Sequence, residues 1–491
     1  LVLALWLTRF GVSVRIIDKL ASSGTTSRAL AVQGRTLEFY QQFGLAQAVV
    51  DRGHKVPAVN LWVKSKPAAR IPLENLGKGL TPFPFPIIFP QDEHETLLIK
   101  RLGALGIEIE RQTELADFED RGGEIHATLR KAEIEEVATF AYLAGCDGAR
   151  SRVREVLGTG FPGGTYDHLF FVADVEAAGS PMNGELHVDL DDADFLAVFP
   201  LQQTGRARLI GSVRDDVAQD HEHLEFEDVQ GRALHNLRIE VKKVNWFSTY
   251  RVHHRVAQQF RKGRAFLLGD AAHIHSPVGG QGMNTGIGDA VNLAWKLAAA
   301  LNEPRSSPLL DSYEPERIAF ARRLVATTDR AFTAVTSDTA FARFVRTKAI
   351  PVLAPGLVRV PAIRRFVFRT VSQIAVNYRD SPLSRGEAGK LHGGDRLPWV
   401  NIGLGEQDNF AALASMDWQI HVYGDPAPGL QALALGRKIP LHIFPWRAAM
   451  VQAGLRPNAA YLIRPDGYIG LADSGGSATA IGAYLSEKNL P

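Results

Sequence analysis

Residues 266–284 read FLLGDAAHIHSPVGGQGMN. Phe266, Leu267 and Leu268 form a short apolar run that stops at a glycine, the pattern of a buried strand. A loop of small residues follows, closing with Gly279-Gly280-Gln281-Gly282. From about Asn284 to Leu301 the apolar positions Ile287, Val291, Ala294, Leu297, Ala298 and Leu301 keep the three-to-four spacing of a helix. The order is therefore strand, acid, glycine-rich loop, helix N-terminus. Backbone N–H groups at a helix start carry partial positive charge, and glycines let a flat ligand approach them. Asp270, at the strand end, is placed to accept hydrogen bonds from a chain of hydroxyls. An ordinary strand-to-helix turn is the alternative for this stretch taken alone.

Working outward, the N-terminal segment repeats the theme. Leu1 to Phe10 is apolar on nearly every side and predicts a buried helix, stopped by Gly11. Val12 to Ile17 predicts a strand ending at Asp18. Helix, glycine, strand and terminal acid make the second half of a dinucleotide-binding βαβ unit, whose acid meets a ribose hydroxyl. An acid at the end of any parallel strand is the alternative. The glycine motif that would open the unit is expected before Leu1, so the chain reads as an N-terminally truncated fragment. A third strand end is Phe140 to Ala144, leading to Cys146-Asp147-Gly148 and a basic helix start at Arg150, Arg152 and Arg154.

Composition narrows the classes. The 491 residues hold two or three domains at ordinary sizes, and the 45% hydrophobic share suits a globular protein. A net charge of +2 excludes a dedicated nucleic-acid binder, and no apolar run is long enough for a membrane span. The single cysteine, Cys146, rules out an internal disulfide and a CxxC redox pair and fits a reducing, cytoplasmic setting. It reads as a small buried hydrophobe.

Between the three acids lie two sheet regions. Residues 57–90 are proline-rich and read as strands and loops over a ligand. Gln91 to Leu105 predicts a helix, with Gln91 placed to hydrogen-bond a cofactor or merely to cap. Strands are expected at Phe170–Val175, Glu185–Val188, Phe195–Pro200 and Ala207–Val213. Ser27-Arg28-Ala29 offers an arginine to phosphate, or a solvated charge. Asp311 to Phe332 predicts a long helix. Residues 350–395 contain scattered prolines and glycines, Pro351, Pro355, Pro361, Pro382, Gly393 and Gly394, and a domain boundary is expected near 380. Beyond it, strands are expected at Trp418–Tyr423, Leu441–Phe444, Ala460–Ile463 and Tyr468–Ala472, then a helix from Ala478.

His253, His254, His273 and His275 lack nearby carboxylate or thiolate co-ligands at metal spacing, so no metal is expected. No nucleophile elbow or Ser-His pair appears. A cofactor that brings its own chemistry fits better.

Taken together, Asp18, Ser27-Arg28-Ala29, Cys146-Asp147-Gly148 and Gly269-Asp270-Ala271-Ala272-His273 through Asn284 resemble the class A flavoprotein monooxygenases, the para-hydroxybenzoate hydroxylase-like aromatic hydroxylases. Arg464-Pro465-Asp466-Gly467-Tyr468 looks like the C-terminal tail of the phenol hydroxylase branch. The resemblance implies an α/β fold: a Rossmann-like FAD-binding domain (1–160 and 251–380) interleaved with a β-sheet substrate domain (161–250), plus a thioredoxin-like α/β domain (381–491). It implies FAD as cofactor and NADH or NADPH as co-substrate. Asp18 would hold the adenine-side ribose, and Arg28 and Gln91 would lie along the pyrophosphate and ribityl region. Asp147 would sit where FAD and the nicotinamide donor are handled. Gly269 and Asp270 would meet the ribityl and pyrophosphate region, and Pro277, Gly280, Gln281, Gly282, Met283 and Asn284 the isoalloxazine ring. The implied reaction is hydroxylation of a small aromatic substrate with O2 through a flavin hydroperoxide. His54, Tyr166 and His187 are open candidates for a base. A homodimer is compatible with this reading. A flavin-dependent oxidase or halogenase, or a non-catalytic FAD-binding protein, are the alternatives.

Overall fold

The computed structural model describes residues 1–24, 29–74, 76–190, 195–202, 205–213, 224–229, 231–336, 339–403 and 408–490. Arg28 lies outside them. The architecture is mixed α/β. The helices that matter for the site are α1 (Val2–Arg9), α2 (Gly34–Gln41), α3 (Gln91–Gly103), α4 (Gly282–Asn302) and α5 (Tyr313–Thr336). They are followed by α6 (Ala340–Phe344), α7 (Ile350–Arg359) and α8 (Pro361–Val371).

The first layer is built on the strand ends read from the sequence. Ile16–Asp18 pairs in parallel with Ile109–Arg111. Leu143–Gly145 pairs in parallel with Ala265–Leu267, which carries the decisive stretch. The strand expected over Val12–Ile17 is shorter and shifted towards Asp18. Helix α1 and helix α4 pack into one core with Phe266, Leu267, Val291, Leu293 and Leu297, all essentially buried. That double burial explains why both helices are apolar nearly all round rather than striped.

The second layer is an eight-stranded sheet. In order across it run His273–Ile274, Glu240–Val256, Gly163–Ala178, Arg206–Ser212, Leu196–Pro200, Leu186–Asp189, Ala58–Val63 and Lys66–Pro72. The expected strands within 161–250 are present, but the layer does not stop at those limits. Residues 58–72 complete one edge, joined through a parallel pairing of Leu186–Asp189 with the strand at Ala58–Val63. Long-range pairing of this kind leaves no local signal.

A four-stranded sheet closes the chain, ordered Leu441–Phe444, Gln419–Tyr423, Ala460–Ile463 and Ile469–Asp473, with the final helix at Ala478–Glu487. Its strand positions follow the sequence reading closely. Helices α7 and α8 occupy 350–371, where the sequence shows scattered prolines. Pro361 sits in the first turn of α8, where a missing N–H costs nothing, whereas Pro351 follows a π-helical turn at Val345–Ala349 that joins α6 to α7.

The C-terminal sheet is tied to the first layer by buried charge. Arg464 donates to Glu316 on α5 at 2.8 and 3.0 Å and to Asp466 at 3.0 and 2.6 Å. Lys296 on α4 donates to the same Glu316 at 2.8 Å, and Trp295 donates to Asp466 at 3.1 Å. Arg35 on α2 reaches the Asp466 carbonyl oxygen at 2.7 Å.

Candidate active site

A cavity of about 780 Å³ opens where the two layers meet. One wall is the decisive stretch. The strand Ala265–Leu267 ends in a single 3-10 turn at Gly269–Ala271, which sets Gly269 and Asp270 on the rim. The chain then returns through Ile274, His275, Ser276 and Pro277 to the N-terminus of α4, where Gly280, Gln281, Gly282 and Met283 line the cavity. The 21-residue helix α4 has no side-chain cap at this end. Its first-turn N–H groups have no intrahelical acceptors, so an acceptor-bearing or anionic ligand is favoured there.

Hydrogen bonds hold this wall rigid. Asp289 on α4 accepts from the Gly269 N–H at 2.9 Å, from Arg317 Nε at 2.6 Å, and pairs with His273 Nε2 at 2.8 Å. Burial alone would raise the Asp289 carboxyl; Arg317 and His273 outweigh it and hold it below the usual range. His273 is therefore committed to positioning the loop. The Asn284 amide donates to the carbonyls of Ala31 and Gly280, both at 2.8 Å, and its oxygen accepts from the Gln33 N–H and the Thr36 hydroxyl. Gln281 donates to the Val371 carbonyl at 2.8 Å and accepts from Gln373 at 2.7 Å. The Asn284 and Gln281 side chains thus fasten α2 and the end of α8 to the glycine loop. Gly280 is in the left-handed region (φ +61°), and a Cβ on it would stand 2.5 Å from Ala31 Cβ. Only glycine fits this close approach.

Other expected residues fall differently. Gln91 lines the cavity and donates to Glu95 at 2.9 Å. Asp18 does not line it; its carboxylate accepts from the Leu20 N–H at 2.9 Å and from Arg111 at 2.8 Å. Asp147 accepts from the Val153 N–H at 3.0 Å, while its neighbours Cys146 and Gly148 line the cavity. Cys146 is exposed, which corrects its reading as a buried residue: the strand has ended one residue earlier. Of the three candidate bases, none lines the cavity. His54 faces the Gly184 carbonyl oxygen, Tyr166 donates to Asp329, and His187 sits between Trp62 and Asn183.

The lining residues missed include Gln33, His94 and His275. His94 had a signal, because Gln91, His94, Glu95 and Leu98 share one face of α3 at helical spacing and all line the cavity. It contacts the Tyr40 hydroxyl at 2.7 Å, and burial pushes it down to about 4. His275 is likewise pushed down to about 4, chiefly by burial. Its Nδ1 faces the Ser276 carbonyl oxygen at 2.8 Å, and its buried Nε2 has no partner.

The facing wall is apolar: Val56, Val59, Leu73, Leu186, Phe199 and Ile210 come from the eight-stranded sheet and its approaches. Among the described lining residues there is no lysine or arginine. An uncapped helix end, a glycine loop with no room for a Cβ at Gly280, and an apolar face opposite fit FAD with an aromatic compound beside it.

Comparison with known proteins agrees. Residues 1–328 match the family described as FAD binding domain. The chain is 33% identical to a 6-methylpretetramide 4-monooxygenase of Streptomyces rimosus, over 100% of this chain and 92% of that protein. It is 29% identical to a flavin-dependent monooxygenase of Mycobacteroides abscessus, over 97% and 95%. The solved structure of OxyS anhydrotetracycline hydroxylase from Streptomyces rimosus superposes with a TM-score of 0.79 at 27% identity, covering 99% of this chain and 95% of that one. The chain belongs to the FAD binding domain family and is a class A FAD-dependent aromatic monooxygenase.

Proposed function

We propose that this enzyme uses NADH or NADPH and O2 to hydroxylate a neutral, multi-ring aromatic substrate bound against the eight-stranded sheet. The observation that carries the reading is the asymmetry of the cavity. Polar backbone and an uncapped helix end lie on one side, with apolar side chains and, among the described lining residues, no lysine or arginine opposite. A carboxylated substrate would ask for an arginine or lysine on that wall. Relatives named for 6-methylpretetramide and anhydrotetracycline support a large ring system.

When bound, FAD supplies the oxygen-activating chemistry. The residues placed to hold it are Gly269, Asp270, Pro277, Gly280, Gln281, Gly282 and Met283 along the loop, with Gln91 and Gln33 beside them. Asn284 acts through the loop backbone. Asp18 and Asp147, which do not line the cavity, are assigned to the ribose and the dinucleotide region on family resemblance, and Arg28 to the phosphates on the same ground. The α4 N-terminus stabilises negative charge on a bound ring. The sheet wall excludes water and orients the substrate. Among the described residues of the wall, His275 has a buried nitrogen without a hydrogen-bond partner, and it replaces His54, Tyr166 and His187 as the candidate proton acceptor.

On this reading the first layer, 1–160 with 251–380, is a Rossmann-like FAD-binding unit, supported by its two parallel strand pairs. Residues 381–491 form a thioredoxin-like unit, supported by the mixed four-stranded sheet and closing helix. The single cysteine supports a reducing, cytoplasmic setting.

The test is NAD(P)H oxidation by the FAD-loaded protein with neutral and carboxylated aromatics of one to four rings. Stimulation by neutral multi-ring phenols, with product gaining one oxygen atom, is expected. Stimulation confined to carboxylated single rings would refute the substrate assignment.

A further inference from the structure

Among the described residues, the exposed large apolar side chains concentrate on the stretch from α6 to α8. Phe341 and Phe344 on α6 are 76% and 59% exposed, Val352 and Leu353 on α7 are 75% and 56%, and Phe366 on α8 is 70%. A folded chain ordinarily breaks up or covers a patch of this kind. The charge of the segment is equally one-sided. From Ala340 to Tyr378 there are seven lysines and arginines and no aspartate or glutamate. Arg346 is buried, but Lys348, Arg359, Arg365 and Arg369 are exposed among the apolar side chains. The neighbouring strand Lys66–Pro72 adds Lys66 and Arg70 and no carboxylate, with Arg70 paired to Glu185.

We propose that α6 to α8 form a docking face for an anionic lipid bilayer surface. Exposed phenylalanines and aliphatics beside basic side chains are the chemistry of a helix lying in the headgroup region. No described helix is long and apolar enough to cross a membrane, so the face lies on the bilayer rather than spanning it. Charge complementarity selects this occupant over a second copy of the chain: an isologous contact would set the same cations against each other. The position of the face gives it a use. Val367 and Val371 on α8 are partly exposed and line the cavity mouth, while Phe368 and Ser372 beside them face inward. An apolar aromatic dissolved in the bilayer would enter the cavity past α8.

The experiment is flotation of the FAD-loaded full chain with two kinds of vesicle. One is pure phosphatidylcholine, and the other contains roughly one-third phosphatidylglycerol. The unaltered protein is expected to float with the anionic vesicles and to be released by about 0.5 M salt. Two variants off the cavity wall are compared: Phe341→Ser with Phe344→Ser, and Arg359→Gln with Arg365→Gln. Loss of two surface cations predicts association weakened about 30-fold, and loss of the phenylalanines at least about tenfold. Unchanged melting temperature and FAD content show that the variants fold. Three results would overturn the proposal: no flotation of the unaltered protein with anionic vesicles, flotation that both variants retain, or a salt-stable dimer that Phe341→Ser with Phe344→Ser dissolves. Capture of an acidic protein by this face without flotation would overturn it as well.

Discussion

Arg464→Met tests whether the C-terminal sheet and the flavin-side layer fold as one. The arginine makes four charge-assisted hydrogen bonds to Glu316 and Asp466, and all three side chains are buried. Burial opposes ionisation of Glu316, but Arg464 and Lys296 outweigh it and hold the carboxyl far below its usual range. Methionine keeps the volume and removes the charge. Glu316 would retain Lys296 and Asn292, and Asp466 would retain the Trp295 N–H. Stripping one partner from a buried charge cluster costs about 3–5 kcal/mol. Unfolding entropy near 2.1 cal/mol/K per residue gives about 1 kcal/mol/K for the whole chain, so one cooperative unit loses only about 3–5 °C in Tm. If residues 381–491 unfold alone, their entropy is about 0.23 kcal/mol/K, and the same loss lowers that transition by about 13–20 °C. Differential scanning calorimetry separates the two patterns. A Tm within about 1 °C of the unaltered protein in every transition would refute the view that this cluster braces the fold.

Gly280→Ala forces a side chain into the left-handed region, 2.5 Å from Ala31 Cβ. FAD affinity should fall at least about tenfold, a cost of ~1.4 kcal/mol, in a flavin fluorescence titration, and unchanged affinity would remove the cradle from the site. His94 is held neutral by burial, with its folded value down to about 4 against about 6.5 unfolded. The unfolded chain binds more protons between those values, so stability should fall as pH drops from about 6.5 to 4, by about 3 kcal/mol for this residue. His94→Gln should flatten that slope in pH-dependent urea denaturation, and an identical slope would mean His94 does not contribute. Asp289 has the opposite sense. Its depressed value adds stability that is full above about 4 and lost below it, and Asp289→Asn should remove that acid limb.

The sequence was most legible where one short pattern determined one element. The run from Phe266 to Asn284 predicted strand, loop and helix, because apolar periodicity and glycines act locally. The C-terminal strands were readable for the same reason. The site was legible along the glycine loop and, on the facing wall, at Phe199, read as an apolar pocket residue. Val56 and Leu73 join Leu186, Phe199 and Ile210 through the pairing of Leu186–Asp189 with Ala58–Val63, segments more than a hundred residues apart. The Pro277–Asn284 backbone was expected to face the ring. That the Asn284 and Gln281 amides tie neighbouring segments to this loop needs coordinates, because the same side chain can bond a ligand or the chain. No helix was read over 350–371 because proline ordinarily breaks helices; Pro361 is tolerated in the first turn of α8, and Pro351 follows a π-helical turn.

The central claim is that the glycine-loop wall and the apolar sheet wall together form an aromatic hydroxylation site. The most direct measurement is turnover of the FAD-loaded enzyme with NAD(P)H, a neutral multi-ring phenol and isotopically labelled dioxygen, with the product read by mass spectrometry. One labelled oxygen on the product ring is the predicted result. Product oxygen drawn from water, or oxidised product carrying no added oxygen, would contradict the account.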